Sequence, residues 1–216
     1  MQQALHETHP EEIFIPVDHQ LLPGELHVPA QALGVVVFAH GSGSSRLSPR
    51  NASVASFLNN VRLATLLFDL LTPTEDRDFS NRFDIDLLAA RLVHVVRWIK
   101  HYRETATLPI GLFGASTGAA AALKAAALDR DVQAIVSRGG RPDLAGDSLS
   151  KVVAPTLLLV GELDTEVEEL NRNAAAHMTC IKKVSIVPRA THLFEESGAL
   201  EEVARQAADW FVKHLP

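Results

Sequence analysis

Short apolar runs alternate with amphipathic segments along nearly the whole chain. Runs at 34–40, 63–68, 110–113, 132–136 and 156–160 are almost continuously apolar, as expected of parallel strands covered on both faces. A further run, 182–187, has the same length with charged residues at its start. Between them the spacing is helical. In 84–103, Leu88, Leu92, Val95, Val96, Ile99 and Tyr102 fall on one face, and 198–214 buries Leu200, Val203, Ala204, Ala207 and Phe211. The stretch 117–128 is a small-residue helix, and 166–177 opens with glutamates, which favour a helix N-terminus electrostatically. Pro49 opens another helix that runs through 52–58, with Ser48 as its N-cap. Residues 11–28 hold two short β-like runs around a turn, predicting an antiparallel hairpin at a sheet edge, where Pro16 and Pro23 suit an edge better than a centre.

Strand and helix in alternation predict an α/β fold: a mostly parallel sheet of about seven to eight strands with helices on both faces. About fifteen residues separate the 63–68 strand from the next helix, too few for a substantial cap. The 216 residues, 47% hydrophobic, suit a single domain over 1–216. No repeat, linker or low-complexity tract interrupts it. A net charge of -6 without a basic block argues against nucleic acid as a partner. Cys180 is the only cysteine, so no intramolecular disulfide or zinc-ribbon spacing exists, and it reads as a small buried residue. Residues 1–10 lack the basic and apolar regions of a signal peptide, and no run reaches membrane-spanning length. The expectation is a cytoplasmic protein with no membrane partner.

The unusual polar residues follow the carboxyl ends of the strands: Gly41 to Arg46, Ser116, Arg138 to Arg141, Asp164 and His192. In an open α/β sheet that edge is where ligands bind. Gly114-Ala-Ser-Thr-Gly118 turns an apolar strand into a helix with a hydroxyl at the corner, the arrangement of a nucleophile elbow. A Gly/Ser turn also arises there for structural reasons alone. A serine needs a base and the base needs an orienting acceptor, and the chain order Ser116, Asp164, His192 matches that requirement on a hydrolase sheet. Glu162 and Asp69 compete with Asp164. Backbone N–H groups of Thr117 and Ser42 would form the oxyanion hole. His40 shapes the oxyanion loop, while His94, His101 and His177 read as structural or surface groups. Arg46, Arg50, Arg138, Arg141 and Arg189 fall near the same edge. Each could hold a substrate anion or pair with Asp76, Asp78, Asp143 or Glu195 to fix a loop. Arg46 and Arg138 are the leading candidates for substrate binding.

The segments His40-Gly-Ser-Gly-Ser-Ser45, Gly114-Ala-Ser-Thr-Gly118, Gly161-Glu-Leu-Asp164 and Ala190-Thr-His-Leu-Phe194 together resemble the dienelactone hydrolase-related branch of the α/β-hydrolase family, over essentially the full chain. The stretch Ser-Arg-Gly-Gly-Arg-Pro-Asp-Leu-Ala-Gly at 137–146 is similar to that of small hydrolase domains found alone or fused to phosphoribosyltransferase domains. At the elbow, dienelactone hydrolase is known for a cysteine and this chain carries Ser116, so the lactone substrate does not transfer with the name. The resemblance implies a serine hydrolase forming an acyl-enzyme on a small ester, thioester or lactone, with an open site or one completed by a second subunit in a homodimer. A non-catalytic binding module on the same scaffold and an acyltransferase using the same triad are the alternatives. No P-loop, dinucleotide or metal-ligand spacing is present, so neither a cofactor nor a metal is implied.

Overall fold

The computed structural model describes residues 9–17 and 20–215. The 1–8 stretch read for a targeting signal and the hairpin turn at 18–19 lie outside the described residues. The strands are β1 (Glu11–Val17), β2 (Gln20–His27), β3 (Gly34–Ala39), β4 (Leu63–Phe68), β5 (Ile110–Ala115), β6 (Val132–Arg138), β7 (Thr156–Gly161) and β8 (Lys182–Val187). The helices are α1 (Pro49–Asn60), α2 (Ile85–Ile99), α3 (Thr117–Leu128), α4 (Thr165–His177) and α5 (Ala199–His214). One eight-stranded sheet has the order β1-β2-β4-β3-β5-β6-β7-β8. β1, β2 and β4 pair antiparallel, and every other pair is parallel.

Alternation along the strands divides the core into two layers. In β3, Val35, Val37 and Ala39 face α2, α3 and α4, whereas Val36 and Phe38 face α1 and α5. Polar caps set the helix ends. Ser48 Oγ accepts from the Asn51 N–H at the start of α1, where Pro49 has no N–H to satisfy. Asp84 accepts from the Leu87 N–H at the start of α2. That helix stops at Ile99, short of the 84–103 span the spacing predicts. The Thr105 hydroxyl donates to the Ile99 carbonyl at 2.7 Å and folds the following residues into turns, although Tyr102 still packs on the core and on Trp98. The polar stretches 72–82 and 142–151, expected as loops, contain 3-10 turns.

The hairpin corrects one expectation. β1 is the edge, but β2 lies inside the sheet, between β1 and β4. Pro23 is tolerated there because the β2–β4 ladder ends beside it. Its carbonyl accepts from the Asp69 N–H at 3.2 Å, so the missing donor leaves only the last rung of the ladder unmade.

The sheet order also fixes where a ligand can bind. From β3 the chain crosses outward through α1 to β4, then returns through α2 to β5 on the other side of β3 and continues outward in one direction. The strand order reverses between β3 and β5, which opens a crevice beyond their carboxyl ends.

Candidate active site

Two loops meet at that crevice, one after β3 and the other after β5. Ser116 holds φ 50° and ψ -122° between β5 and α3. A non-glycine residue pays strain for that conformation, and it persists because neighbouring backbone fixes it. The Ser116 N–H donates to the Arg138 carbonyl at 3.2 Å, and its own carbonyl accepts from the Arg141 N–H at 3.1 Å. Close approach sets the flanking glycines. A Cβ on Gly118 would stand 2.3 Å from the Ala39 carbonyl oxygen, and one on Gly114 would stand 2.4 Å from the Ala119 Cα. The Ser116 side chain does not cap α3, so the Thr117 N–H at the positive helix end keeps its donor capacity.

Beyond β7 and β8, His192 Nδ1 and Asp164 Oδ2 lie 2.7 Å apart. The carboxylate can only accept, so Nδ1 carries the proton and Nε2 is left with a lone pair. His192 reaches back over the end of β6, where a Cβ on Gly139 would lie 3.5 Å from its Cε1. Among the described residues Ser116 Oγ makes no hydrogen bond; contact between nucleophile and base commonly tightens only with substrate. The rivals of Asp164 are engaged elsewhere. Glu162 accepts from the Arg189 N–H at 2.7 Å, and Asp69 accepts from both the backbone N–H and the guanidinium of Arg46.

Arg46 is therefore not a free anion clamp. Its Nη1 lies 2.7 Å from Asp69 Oδ2, and the pair fastens the loop after β3 to the end of β4. Arg141 is likewise held by Asp143, and Arg50 by Glu195. Arg138 differs from all of them. It is 9% exposed, makes no ion pair or side-chain hydrogen bond among the described residues, and buries Nη1 without an acceptor. Burial, with the charge of Arg50 adding to it, pushes its pKa down to about 10.

The oxyanion loop is ordered from both sides. The His40 Nε2 accepts the Leu70 N–H at 3.1 Å, so Nδ1 is the protonated nitrogen and donates to the Gly41 carbonyl at 3.0 Å. Burial holds the His40 pKa below its ordinary 6.5, against the raising effects of the Gly41 carbonyl, Asp69 and Asp76. The Ser42 N–H donates to Thr117 Oγ1 at 2.9 Å. Sequence reasoning missed this bond; a hydroxyl residue directly after the elbow serine was the available signal. A small cavity beside the loop is lined by Ser42, Gly43, Leu70, Leu71 and Leu88, with the Asp76–Arg82 pair at its rim. A second cleft, between the 142–151 segment and α4, shares no residue with the site.

The other groups singled out in the sequence lie outside this chemistry. His94, His101 and His177 bond to the carbonyls of Pro16, Arg97 and Asn173. Burial pushes the Cys180 thiol up, away from thiolate character. Among the described residues no helix is long and apolar enough to cross a membrane.

Comparison with known proteins adds relatives of two kinds. The chain is 50% identical to a dienelactone hydrolase from Anabaena variabilis, whose crystal structure it matches with a TM-score of 0.95 over 98% of this chain and 100% of that one. Est1E from Butyrivibrio proteoclasticus matches in fold at 18% identity, with a TM-score of 0.79 over 94% of this chain and 98% of that one. In sequence, 206 residues are 57% identical to a putative phosphoribosyl transferase of Mycobacterium tuberculosis, covering 95% of this chain and 46% of that protein. The chain thus spans about half the length of the curated relatives it matches. No family model matches it.

Proposed function

The chain belongs to the dienelactone hydrolase-related branch of the α/β-hydrolases, and from that premise we propose that it is a serine hydrolase that cleaves small esters, thioesters or lactones without a cofactor. The observation that carries this reading is a strained serine at the β5–α3 turn with a hydrogen-bonded His–Asp pair over the same sheet edge.

In this mechanism the lone pair on His192 Nε2 removes the proton from Ser116 Oγ as it attacks the acyl carbonyl. Asp164 holds the imidazole in the required tautomer and stabilises the imidazolium that forms. Negative charge gathers on the former carbonyl oxygen, where Thr117 N–H supports it at the helix end and Ser42 N–H joins from the loop after β3. The Thr117 hydroxyl already holds the Ser42 N–H, so the loop is aimed before substrate arrives. His192 then returns the proton to the departing alkoxide or thiolate. A water deprotonated by His192 attacks the acyl-enzyme and releases the acid. The cavity beside Leu70, Leu71 and Leu88 suits a short acyl group.

A fluorophosphonate probe tests the reading. It is expected to label Ser116 in the wild type, to leave Ser116→Ala unlabelled, and to react at least a hundred-fold more slowly with His192→Ala. Folded wild-type protein that leaves Ser116 unlabelled would make the chain a binding module on a hydrolase scaffold. Adding competing alcohols during ester turnover separates hydrolysis from acyl transfer by the products formed.

A further inference from the structure

Arg138 stands at the last position of β6, paired in register with Ala115 on β5 and Leu159 on β7. Ala134 and Val136 of the same strand belong to the core layer under α1 and α5, so strand alternation sends Arg138 to that face. Its carbonyl accepts the Ser116 N–H, which puts its backbone one hydrogen bond from the nucleophile. Gly139, next in the chain, lies under His192 and the buried Phe194 ring. The guanidinium therefore occupies the ground behind the catalytic histidine.

A charge buried there would ordinarily have a carboxylate beside it. Removing a guanidinium from water is unfavourable unless an anion and hydrogen bonds replace the lost hydration. Arg138 has neither among the described residues, and the charge close enough to affect it is Arg50, of the same sign. Arg50 contributes a second buried donor without an acceptor, its Nε, while its Nη1 is spent on Glu195. Two guanidiniums thus present unpaired donors, and the groups that would neutralise them in a structural ion pair are absent. Such an arrangement is complete only with an anion between them.

We infer that Arg138, assisted by Arg50, binds the anionic group of the substrate, a carboxylate or a phosphate carried on the molecule whose acyl carbon Ser116 attacks. The inference rests on the hydrolase reading for the identity of the substrate but not for the binding itself. The planar fork of Arg138 takes two oxygens of the anion, and Arg50 Nε takes a third contact from the α1 side. Arg46, neutralised by Asp69, takes no part.

Binding is measured without turnover by calorimetric titration of Ser116→Ala protein with glutarate and, separately, with inorganic phosphate. Saturable binding of either is expected, and which of the two binds more tightly identifies the anion. Adding Arg138→Gln should weaken that binding about ten-fold or more, the loss of a charge-assisted pair. Turnover provides the second arm. The Ser116 enzyme should prefer the p-nitrophenyl ester of glutarate, with its free carboxylate, over the neutral pentanoate ester, and Arg138→Gln should cut that kcat/KM ratio about ten-fold through KM. If Arg138→Gln does not fold, Arg50→Gln, altered at a more exposed position, carries both arms with a smaller loss. No saturable binding of either anion to folded protein overturns the inference, as does an affinity or ester ratio that neither substitution changes. Failure of Ser116 labelling instead defeats the hydrolase reading and leaves the titration standing.

Discussion

The hydroxyl of Thr117 occupies a place that a water or a substrate oxygen would otherwise fill, since it accepts the Ser42 N–H in the free protein. Its role is positional: it touches no reacting atom and acts through the loop it holds. Thr117→Val removes the acceptor with little change of shape, leaving the Ser42 N–H without its partner and the loop free to wander. We expect kcat to fall by about ten-fold, a fraction of what the loss of an oxyanion donor itself costs, with KM nearly unchanged. Thr117→Ser restores the acceptor and should recover most of the rate. A purely structural threonine would give the reverse pattern, with melting temperature falling in step with rate and serine bringing no recovery. Arg46 illustrates the limit of reading residues singly. It and Arg138 stand at equivalent places after strands, yet one is tied to Asp69 and the other has no partner among the described residues.

That difference originates with the elements. β4 lies beside β3 in parallel register, so the loops leaving both strands meet, and Asp69 at the end of one reaches Arg46 in the other. The same neighbourhood brings the Leu70 N–H to His40 Nε2. This coupling of two loops depends on a neutral ring, because a proton on Nε2 would remove the acceptor. The His40 pKa is lowered on folding, so the unfolded chain binds the extra proton first as pH falls. Stability is then full above 6.5 and declines as pH drops below that ordinary value, levelling off only beneath the folded pKa. Melting temperature should accordingly fall between neutral pH and pH 5, and His40→Asn should reduce the slope. His214, also lowered by burial, leaves a residual slope in that variant. A slope unchanged by the substitution would assign the whole effect to other groups.

Across the molecule, the alternation of apolar runs and helical spacings was enough to read the fold and the edge on which the polar residues gather. Strand order was not legible, because pairing depends on contacts between segments distant in the chain. Without it β2 reads as an edge and Arg46 as a free cation. The 3-10 turns at 75–77, 79–83 and 142–151 were hidden for another reason: they are short, polar and held by local side chains such as Asp78 and Asn81, which leave no periodicity. The site residues were legible by type and position, whereas the Thr117–Ser42 bond and the isolation of Arg138 depend on packing. The meeting of β3 and α3 also has a kinetic consequence. Gly118 admits the Ala39 and His40 carbonyls to near contact, and the bond beside it closes a loop of 75 residues, while His192 and Asp164 close another of 28. Long closures of this kind are entropically costly and slow to form, so no fragment of the chain should hold a working elbow. On dilution from denaturant, fluorophosphonate labelling of Ser116 should return no earlier than the slowest recovery of Trp98 and Trp210 fluorescence. Earlier labelling would mean that the strained turn is built locally, before the sheet around it closes.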